Sequence, residues 1–547
     1  MRKNYFLLIC MLFVCGMQTM AQNFETATVA VKNMGVGWNL GNTLDAHDAT
    51  KTWTTTDQHE TCWGQPVTKS ELMKMMKEAG FGAIRVPVTW YQEMDSNGKV
   101  NDAWMNRVKE VVDYVIDNGM YCIINVHHDT GADNGAFKSW LKASSSSYNS
   151  NKAKYEGLWK QIAEKFKDYN QKLLFEAYNE MLDEKNTWNE PVNKDGYNAI
   201  NNYAKSFVTT VRATGGNNKQ RNLVVNTYSS SSTANAMKAL ELPESTGHII
   251  FQLHSYPNWQ NESNAKREID NLISNIKSNL LNRAPVIIGE YATFCEWPSK
   301  IDYYDTNRKV ALYAMDYFIK KTKEAGIGTF YWMGISDGVN RSEPVFSQAD
   351  LAETLIKAYY GSADGYKYPV HDTSKGTVVF EGEKQLEWGQ AINFPANYFA
   401  DLDNSTFVEV TYQQKYDQFT GDNAYGMFQF WYNDWSEQIN FEVDGKTYAH
   451  DFAPADHYGT GSGTEHITDF YFDTATFNKF KSKGMLFQGH GILVKKAILT
   501  KTPTADIKSI SKEDGSKHDS IYNLQGQRIT KPSKGIYIKN GKKYLVK

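Results

Sequence analysis

The sequence predicts an α/β fold, a (β/α)8 TIM barrel, followed by an all-β sandwich domain and a short C-terminal β tail. Three observations carry that reading. Over residues 22–365 short apolar runs alternate with longer amphipathic ones. Over 376–502 the text changes to short alternating runs such as Thr377-Val378-Val379-Phe380 and Phe407-Val408-Glu409-Val410. Between them a Gly/Asp/Ser-rich stretch around 363–374 marks a linker, placed at 366–375.

Taken in order, the chain opens with Met1-Arg2-Lys3, an apolar run over 5–14, and the small-residue stretch Thr19-Met20-Ala21 before Gln22. A basic start, a short apolar segment and a small residue at the cut describe a secretory signal peptide over 1–21. The apolar run is too short to anchor the chain across a bilayer. Cys15 invites a lipoprotein reading, but Val14 stands where a small residue is wanted. The expectation is an exported protein, released or attached at the cell surface.

The strand-like runs fall at 35–40, 82–86, 121–127, 173–178, 222–226, 249–254, 285–289 and 328–332. Helix-like stretches lie between them at 69–79, 104–118, 153–168, 197–214 and 307–325. Two of these helices end at Ala79-Gly80 and Asn118-Gly119, where glycine can leave the helix in a left-handed conformation. Eight βα units are the arithmetic of a barrel. An open doubly wound sheet would instead place a Gly-rich phosphate loop after the first strand. Gly35-Val36-Gly37 lies within that strand and no third glycine completes the motif.

Bulk properties narrow the function. The 547 residues are 41% hydrophobic and 22% charged, the range of a folded multidomain protein. A net charge of −3 offers no electrostatic case for nucleic acid or anionic membrane, and nothing demands more than a monomer. Aromatic residues make up 14%, with 14 Trp and 33 Tyr, either filling a large core or standing as flat platforms for sugars. Once the signal is removed Cys62, Cys122 and Cys295 remain. Cys122 reads as a buried thiol, and a bridge between Cys62 and Cys295 is left open. No Cys/His spacing suggests zinc, and no cofactor is implied.

In a barrel the chemistry sits at the C-terminal ends of the strands, because the βα loops form the pocket there. Polar residues stand at those ends throughout: Arg85, His127-His128-Asp129, Asn179-Glu180, His254 with Tyr256, Glu290 and Trp332. Two carboxylates facing across the mouth suit acetal hydrolysis, one protonated toward the leaving oxygen and one ionised. A negative Glu290 is expected to raise the pKa of Glu180, while Tyr256 and Arg85 hold Glu290 ionised. Asn179 is placed to meet a sugar 2-hydroxyl, and Trp332 to floor the cleavage subsite. A metal cluster at His127-His128-Asp129 is the rival reading. It is weakened because Asn39-Leu40-Gly41 lacks the His-x-His that metal-dependent barrel hydrolases place on the first strand.

The text Gly37-Trp38-Asn39-Leu40-Gly41-Asn42-Thr43-Leu44-Asp45, Arg85-Val86-Pro87-Val88-Thr89-Trp90, Asn125-Val126-His127-His128, Asn179-Glu180, His254-Ser255-Tyr256, Gly289-Glu290 and Trp332 resembles glycoside hydrolase family 5, the cellulase family A. The resemblance covers roughly 24–360. The opening run and Glu60-Thr61-Cys62-Trp63-Gly64-Gln65-Pro66 resemble its endoglucanase-rich fourth subfamily, although Met181-Leu182 departs from the Pro-Arg that usually follows Asn-Glu. The resemblance implies a retaining enzyme with Glu180 as acid/base and Glu290 as nucleophile. Arg85, His127, His128, Asn179, His254, Tyr256, Trp332 and Trp297 would bind or support the substrate. It implies a cellulase, an endo-1,4-β-glucanase acting on β-glucan polysaccharide, with xyloglucanase, lichenase and β-mannanase as rivals sharing the machinery. A glucan-binding protein without activity is the rival of another class, and loss of either Glu would favour it.

Loop tryptophans Trp53, Trp63, Trp140, Trp188, Trp259 and Trp297 either line subsites or pack beneath their own loops. In the sandwich, Trp388, Trp431, Tyr432 and Trp435 suggest a carbohydrate-binding module, against a structural spacer. Trp431 and Tyr432 adjoin on a strand, so they face opposite ways. The final segment, 503–547, resembles the C-terminal sorting domains of exported Bacteroidetes proteins through Tyr522-Asn523-Leu524-Gln525-Gly526-Gln527-Arg528 and Lys534-Gly535-Ile536-Tyr537-Ile538.

Overall fold

The computed structural model describes residues 23–501 apart from 257–258, 260, 293–302, 333–338, 342–343, 347, 371–375, 415–425 and 455–464, together with four short strands beyond 520. The signal-peptide segment, Trp297 and Cys295 lie outside the described residues. Cys62 and Cys122 are free thiols.

Eight parallel strands close into a barrel in chain order: β1 Val36–Asn39, β2 Ala83–Val86, β3 Tyr121–Asn125, β4 Leu173–Glu176, β5 Leu223–Asn226, β6 Ile249–Ser255, β7 Val286–Tyr291 and β8 Gly328–Tyr331. All eight fall within a residue or two of the apolar runs that announce them. Their period-2 alternation divides each strand between two cores. Outward residues such as Ile84, Cys122, Phe175, Val225 and Leu253 pack under the helices. Inward residues Ala83, Ile123, Leu174, Val224, Ile250, Ile287 and Phe330 fill the barrel bottom, which the N-terminal helix Ala27–Met34 plugs with Ala27, Ala30, Val31 and Met34.

The next inward position along six strands is polar: Asn39, Arg85, Asn125, Glu176, Asn226 and Gln252, all fully buried. The interior therefore changes from apolar to hydrogen-bonding one step below the mouth. That layer is the floor on which the site is built.

A short hairpin, β9 Val339–Asn340 and β10 Val345–Phe346, follows the barrel. The sandwich packs two antiparallel sheets around Phe394, Phe428, Phe430, Phe470 and Phe487. One has the order β11-β20-β13-β18 and the other β12-β19-β14-β17. Their strands are β11 Thr377–Leu386, β12 Ala391–Phe394, β13 Phe407–Gln414, β14 Met427–Tyr432, β17 Asp451–Phe452, β18 Glu465–Phe470, β19 Met485–His490 and β20 Ile492–Thr500. A hairpin, β15 Phe441–Val443 and β16 Lys446–Tyr448, lies between β14 and β17. Barrel and sandwich form one compact unit. The tail, 502–547, is a second unit holding β21 Ile521–Tyr522, β22 Arg528–Ile529, β23 Gly535–Lys539 and β24 Lys542–Val546 in the order β22-β21-β23-β24. No helix among the described residues is long and apolar enough to cross a membrane.

Candidate active site

Arg85 organises the mouth. Its Nε and Nη2 donate to the two carboxylate oxygens of Glu176 at 2.6 and 2.7 Å, a bidentate pair. The remaining donors reach Glu290 Oε1 at 2.7 Å, Asn39 Oδ1 at 3.0 Å and Asn179 Oδ1 at 2.8 Å. Burial alone would disfavour the guanidinium charge, but Glu176 and Glu290 overrule it and hold its pKa above the ordinary value. Removing one partner of such a buried set leaves an uncompensated charge, a cost of about 3–5 kcal/mol.

Glu290 reaches the mouth through a break in alternation. Ile287 and Gly289 face inward, so a regular strand would turn Glu290 outward. The register skips a residue against both neighbours: Leu253 and His254 pair with Ile288 and Glu290, while Thr329 and Tyr331 pair with Ile288 and Tyr291. That irregularity re-aims Glu290 into the barrel, as bulges beside active sites do. Glycine is required at 289 because a Cβ there would lie 2.4 Å from the Gln252 carboxamide carbon.

Glu180 follows β4 on a loop held by backbone bonds, Asn179 N–H to the Val126 carbonyl and Ser229 N–H to the Met181 carbonyl. Ser229 and Ser230 adopt φ of 49° and 51°, a left-handed conformation costly for residues with a Cβ. In return Ser230 Oγ donates to the Asn179 carbonyl and accepts from Asn226. His254 Nδ1 stands 2.9 Å from Glu180 Oε1 and 3.4 Å from Glu290 Oε2. Tyr256 Oη donates to Glu290 Oε2 at 2.7 Å. One carboxylate oxygen each of Glu180 and Glu290 and a ring nitrogen of His254 all lie within 4.8 Å of one another. Two carboxyls at that separation fit a retaining glycosidase, for which about 5–5.5 Å is usual, and not the wider gap that inverting enzymes keep for a water.

A family model described as Cellulase (glycosyl hydrolase family 5) matches residues 47–338. The chain belongs to glycosyl hydrolase family 5. It is a glycoside hydrolase, and the family is a retaining one. Endoglucanase A of Clostridium longisporum is 31% identical over 63% of this chain and 68% of its own length. Among solved structures, a GH5-4 broad specificity endoglucanase from an uncultured bacterium is 57% identical with a TM-score of 0.60, covering 62% of this chain and 98% of that one. A family 5 enzyme of Prevotella bryantii B14, solved as a mutant with a xyloglucan tetradecasaccharide, is 42% identical with a TM-score of 0.57, covering 61% and 99%.

Protonation in this family 5 site follows from its neighbours. Glu290 accepts from both Arg85 and Tyr256, contacts that favour its anion, although burial pushes its pKa above the ordinary value. Among the described residues Glu180 meets His254 Nδ1 at 2.9 Å and neither Arg85 nor Tyr256. Burial raises its pKa to about 7, opposed by Arg85 and assisted by the negative charge of Glu176. Burial is the leading cause and the charge of Glu176 adds to it, while the mutual repulsion of Glu180 and Glu290 is among the causes that raise Glu290. One guanidinium already faces two anions, so the third carboxyl keeps its proton. Burial also lowers His254 to about 4 and His127 and His128 well below their ordinary value, leaving all three imidazoles neutral at neutral pH.

His127 donates into the cleft. Asn125 accepts from Val88 N–H through Oδ1, so its amide nitrogen faces His127 Nδ1 at 3.0 Å. Nδ1 is thereby the acceptor and Nε2 carries the proton. Asp45, His127 and His128 bring potential ligand atoms within 4.8 Å of one another, but in this tautomer the one lone pair of His127, on Nδ1, accepts from Asn125. The expected partner Asp129 instead turns away, accepting from Trp90 N–H and Trp140 Nε1. Trp332 lies parallel to His127 at 5.8 Å and 8°. His128 stacks on His47 at 4.8 Å, and Trp63 packs against His128 at 5.3 Å.

The structure thus brings Arg85, His127, His128, Asn179, Glu180, His254, Tyr256, Glu290 and Trp332 to one mouth. Trp259 is buried and packs, whereas Trp188 is 51% exposed. Sequence reasoning missed Glu176 and Asn226, and gave no role to Asn39 and Asn125 although both stand in the text that resembles family 5. The signal was available for Glu176: a carboxylate inside Leu173-Leu174-Phe175-Glu176-Ala177, a strand buried on both faces, requires a cationic partner.

Proposed function

We propose that the protein is a retaining endo-β-1,4-glucanase that cuts internal bonds of cellulose-like or mixed-linkage plant glucans by double displacement. The observation that carries the reading is the Glu180–Glu290 pair at retaining distance, with the donors on Glu290 and the proton on Glu180. Glu290 attacks the anomeric carbon from below as the glycosidic bond breaks, and Glu180 gives its proton to the departing oxygen. The product of that step is a glycosyl ester on Glu290. Glu180, now an anion, removes a proton from water, whose oxygen displaces Glu290 and restores both carboxyls.

The supporting residues divide the remaining work. Arg85 and Tyr256 stabilise the Glu290 anion before attack and after release. His254 orients Glu180. Asn179 uses its Oδ1 on Arg85, which leaves Nδ2 for the sugar 2-hydroxyl, a bond that strengthens in the transition state. Trp332 gives the sugar ring a face, and His127 Nε2–H a hydrogen bond. Trp297 is assigned to substrate contact by its place after the nucleophile strand. Export is supported by the basic start and apolar run ahead of Gln22; activity in culture medium with an N-terminus at Gln22 checks it.

A xyloglucan-cleaving reading is favoured by the 42%-identical relative solved with that polymer. Product release and viscosity on carboxymethylcellulose, barley β-glucan, xyloglucan, glucomannan, galactomannan and xylan decide the backbone, with Glu290→Gln as the control. Rapid viscosity loss on the glucans, lost at least a thousandfold in the control, is the expected result. Activity confined to mannan or xylan would overturn the substrate.

A further inference from the structure

The sandwich has two outward faces, and they differ in chemistry. On the sheet β11-β20-β13-β18 the outward register carries Glu381, Lys496, Thr411, Glu409 and Asp469. Lys496 lies 3.9 Å from Glu381, and Lys69 of the barrel reaches the same carboxylate. This is a charged face.

The sheet β12-β19-β14-β17 is different. Tyr432 and the phenylalanines 428, 430 and 487 turn into the core, so their neighbours along the strands turn out. The outward register holds Met427, Gln429 and Trp431 on β14, beside His490, Gln488 and Leu486 on β19. At one end Trp388 lies flat on His490, with ring centroids 4.7 Å apart at 7°, and is 48% exposed. At the other end Trp431 meets Trp435 at 5.7 Å and 51°, and Trp435 is 44% exposed. His490 and Leu486 are four residues apart on one strand, so the two indole groups stand about 13 Å apart along it.

Between the rings stand the carboxamides of Gln429 and Gln488 with the Asp451 carboxylate beside them, and at the Trp388 end Glu387 lies 2.9 Å from His490 Nδ1. Gln488 Oε1 accepts from Trp431 Nε1 at 2.9 Å, and Gln429 donates to Asp451 at 2.7 Å while its own oxygen faces Trp431 Nε1 at 3.2 Å. Trp431 is thus held through its indole N–H, while Trp388 rests one face on His490. Trp435 is held at φ 58°, a left-handed conformation that a bulky residue rarely adopts. The charged groups beside it are paired, Asp434 with Lys483 and Glu437 with Lys479.

We propose that this face binds a β-1,4-glucan chain at a second site, distinct from the cleft. Separated ring platforms match the apolar faces of successive sugars, and neutral carboxamides match their hydroxyls. The charged groups of this face are each partnered, Asp451 by Gln429, Glu387 by His490, Asp434 by Lys483 and Glu437 by Lys479, which leaves rings and carboxamides for a neutral polymer. The length between the platforms suits an oligosaccharide rather than one sugar. The choice of glucan among neutral polysaccharides rests on the activity proposed for the barrel.

The test uses the full chain carrying Glu290→Gln, which cannot consume the polymer, in affinity gels cast with barley β-glucan, xylan or galactomannan. Trp388→Ala with Trp435→Ala is expected to weaken retardation by β-glucan about tenfold. Trp431→Ala alone should weaken it in the same direction. Glu381→Ala with Lys496→Ala on the opposite face should leave it unchanged, and circular dichroism with thermal unfolding checks that each variant folds. Equal retardation of parent and tryptophan variants, or no retardation of the parent, would overturn the surface. Retardation that depends on the tryptophans only in xylan or galactomannan gels would overturn glucan as the occupant. Failure of the barrel's activity would appear separately, in the hydrolysis panel.

Discussion

Glu180 carries the account at the scale of single residues, because burial lifts its pKa from 4.5 to about 7. The acid form is needed in the first step, so kcat/KM should fall on the alkaline side with an apparent pKa near 7, measured on a soluble glucan. The same shift has a consequence for stability. A carboxyl raised in the folded state contributes fully below its unfolded pKa, and the contribution is lost as pH rises from about 4.5 through about 7. Glu180→Gln removes that dependence. Relative to the parent it should gain up to about 3 kcal/mol at pH 8 and little at pH 4.5, read by denaturant unfolding at both values. A gain of equal size at both pH values would remove Glu180 as its source. The positions of Glu180 and Glu290 at the barrel mouth were legible in the sequence, since each follows an apolar run. The reason for their different protonation was not. It depends on burial first and then on Arg85 and Glu176, whose contact spans ninety-one positions of the chain and arises only when the barrel closes.

Among the elements, β7 is the one whose irregularity matters most. The apolar run predicts its location, and the strand does lie there. Period-2 alternation, however, would turn Glu290 away from the mouth, and only the register skip at Gly289 turns it back. That skip depends on pairing with β6 and β8, which no local pattern reveals. Gly289→Ala should force the Gln252 carboxamide to move, costing about 1–3 kcal/mol in stability. It should also displace Glu290 enough to lower kcat by about 10²-fold. Adding Gln252→Ala makes room and should recover much of the loss. Failure of the double variant to recover would mean that the glycine is needed for its backbone rather than for space. The Ser229-Ser230 turn belongs to the same class, since nothing in Tyr228-Ser229-Ser230-Ser231 announces two consecutive left-handed residues.

Taken whole, the molecule has two chemistries for one neutral polymer. The substrate is an uncharged polymer and the net charge is only −3, which leaves no long-range attraction to screen. KM on barley β-glucan should therefore change less than twofold between 50 and 500 mM NaCl (roughly a threefold change in Debye length). A steep salt dependence would point to charged-substrate recognition instead. The order of barrel and sandwich was readable because the hydrophobic period changes from alternating βα units to short strands near residue 376. Which face of the sandwich presents its tryptophans was readable only in part. Alternation separates Trp431 from Tyr432, but the pairing of β14 with β19 was needed to set Trp431 on the same face as His490 and Trp388.

The central claim is that Glu290 forms the covalent intermediate and Glu180 serves it as acid and base. Trapping that intermediate with a 2-deoxy-2-fluoro cellobioside bearing a good leaving group, followed by peptide mass spectrometry, tests it most directly. The account predicts one added glycosyl group, carried by the peptide containing Glu290, together with loss of activity in step with labelling. A glycosyl group on Glu180, on Glu176 or on any other residue would contradict it.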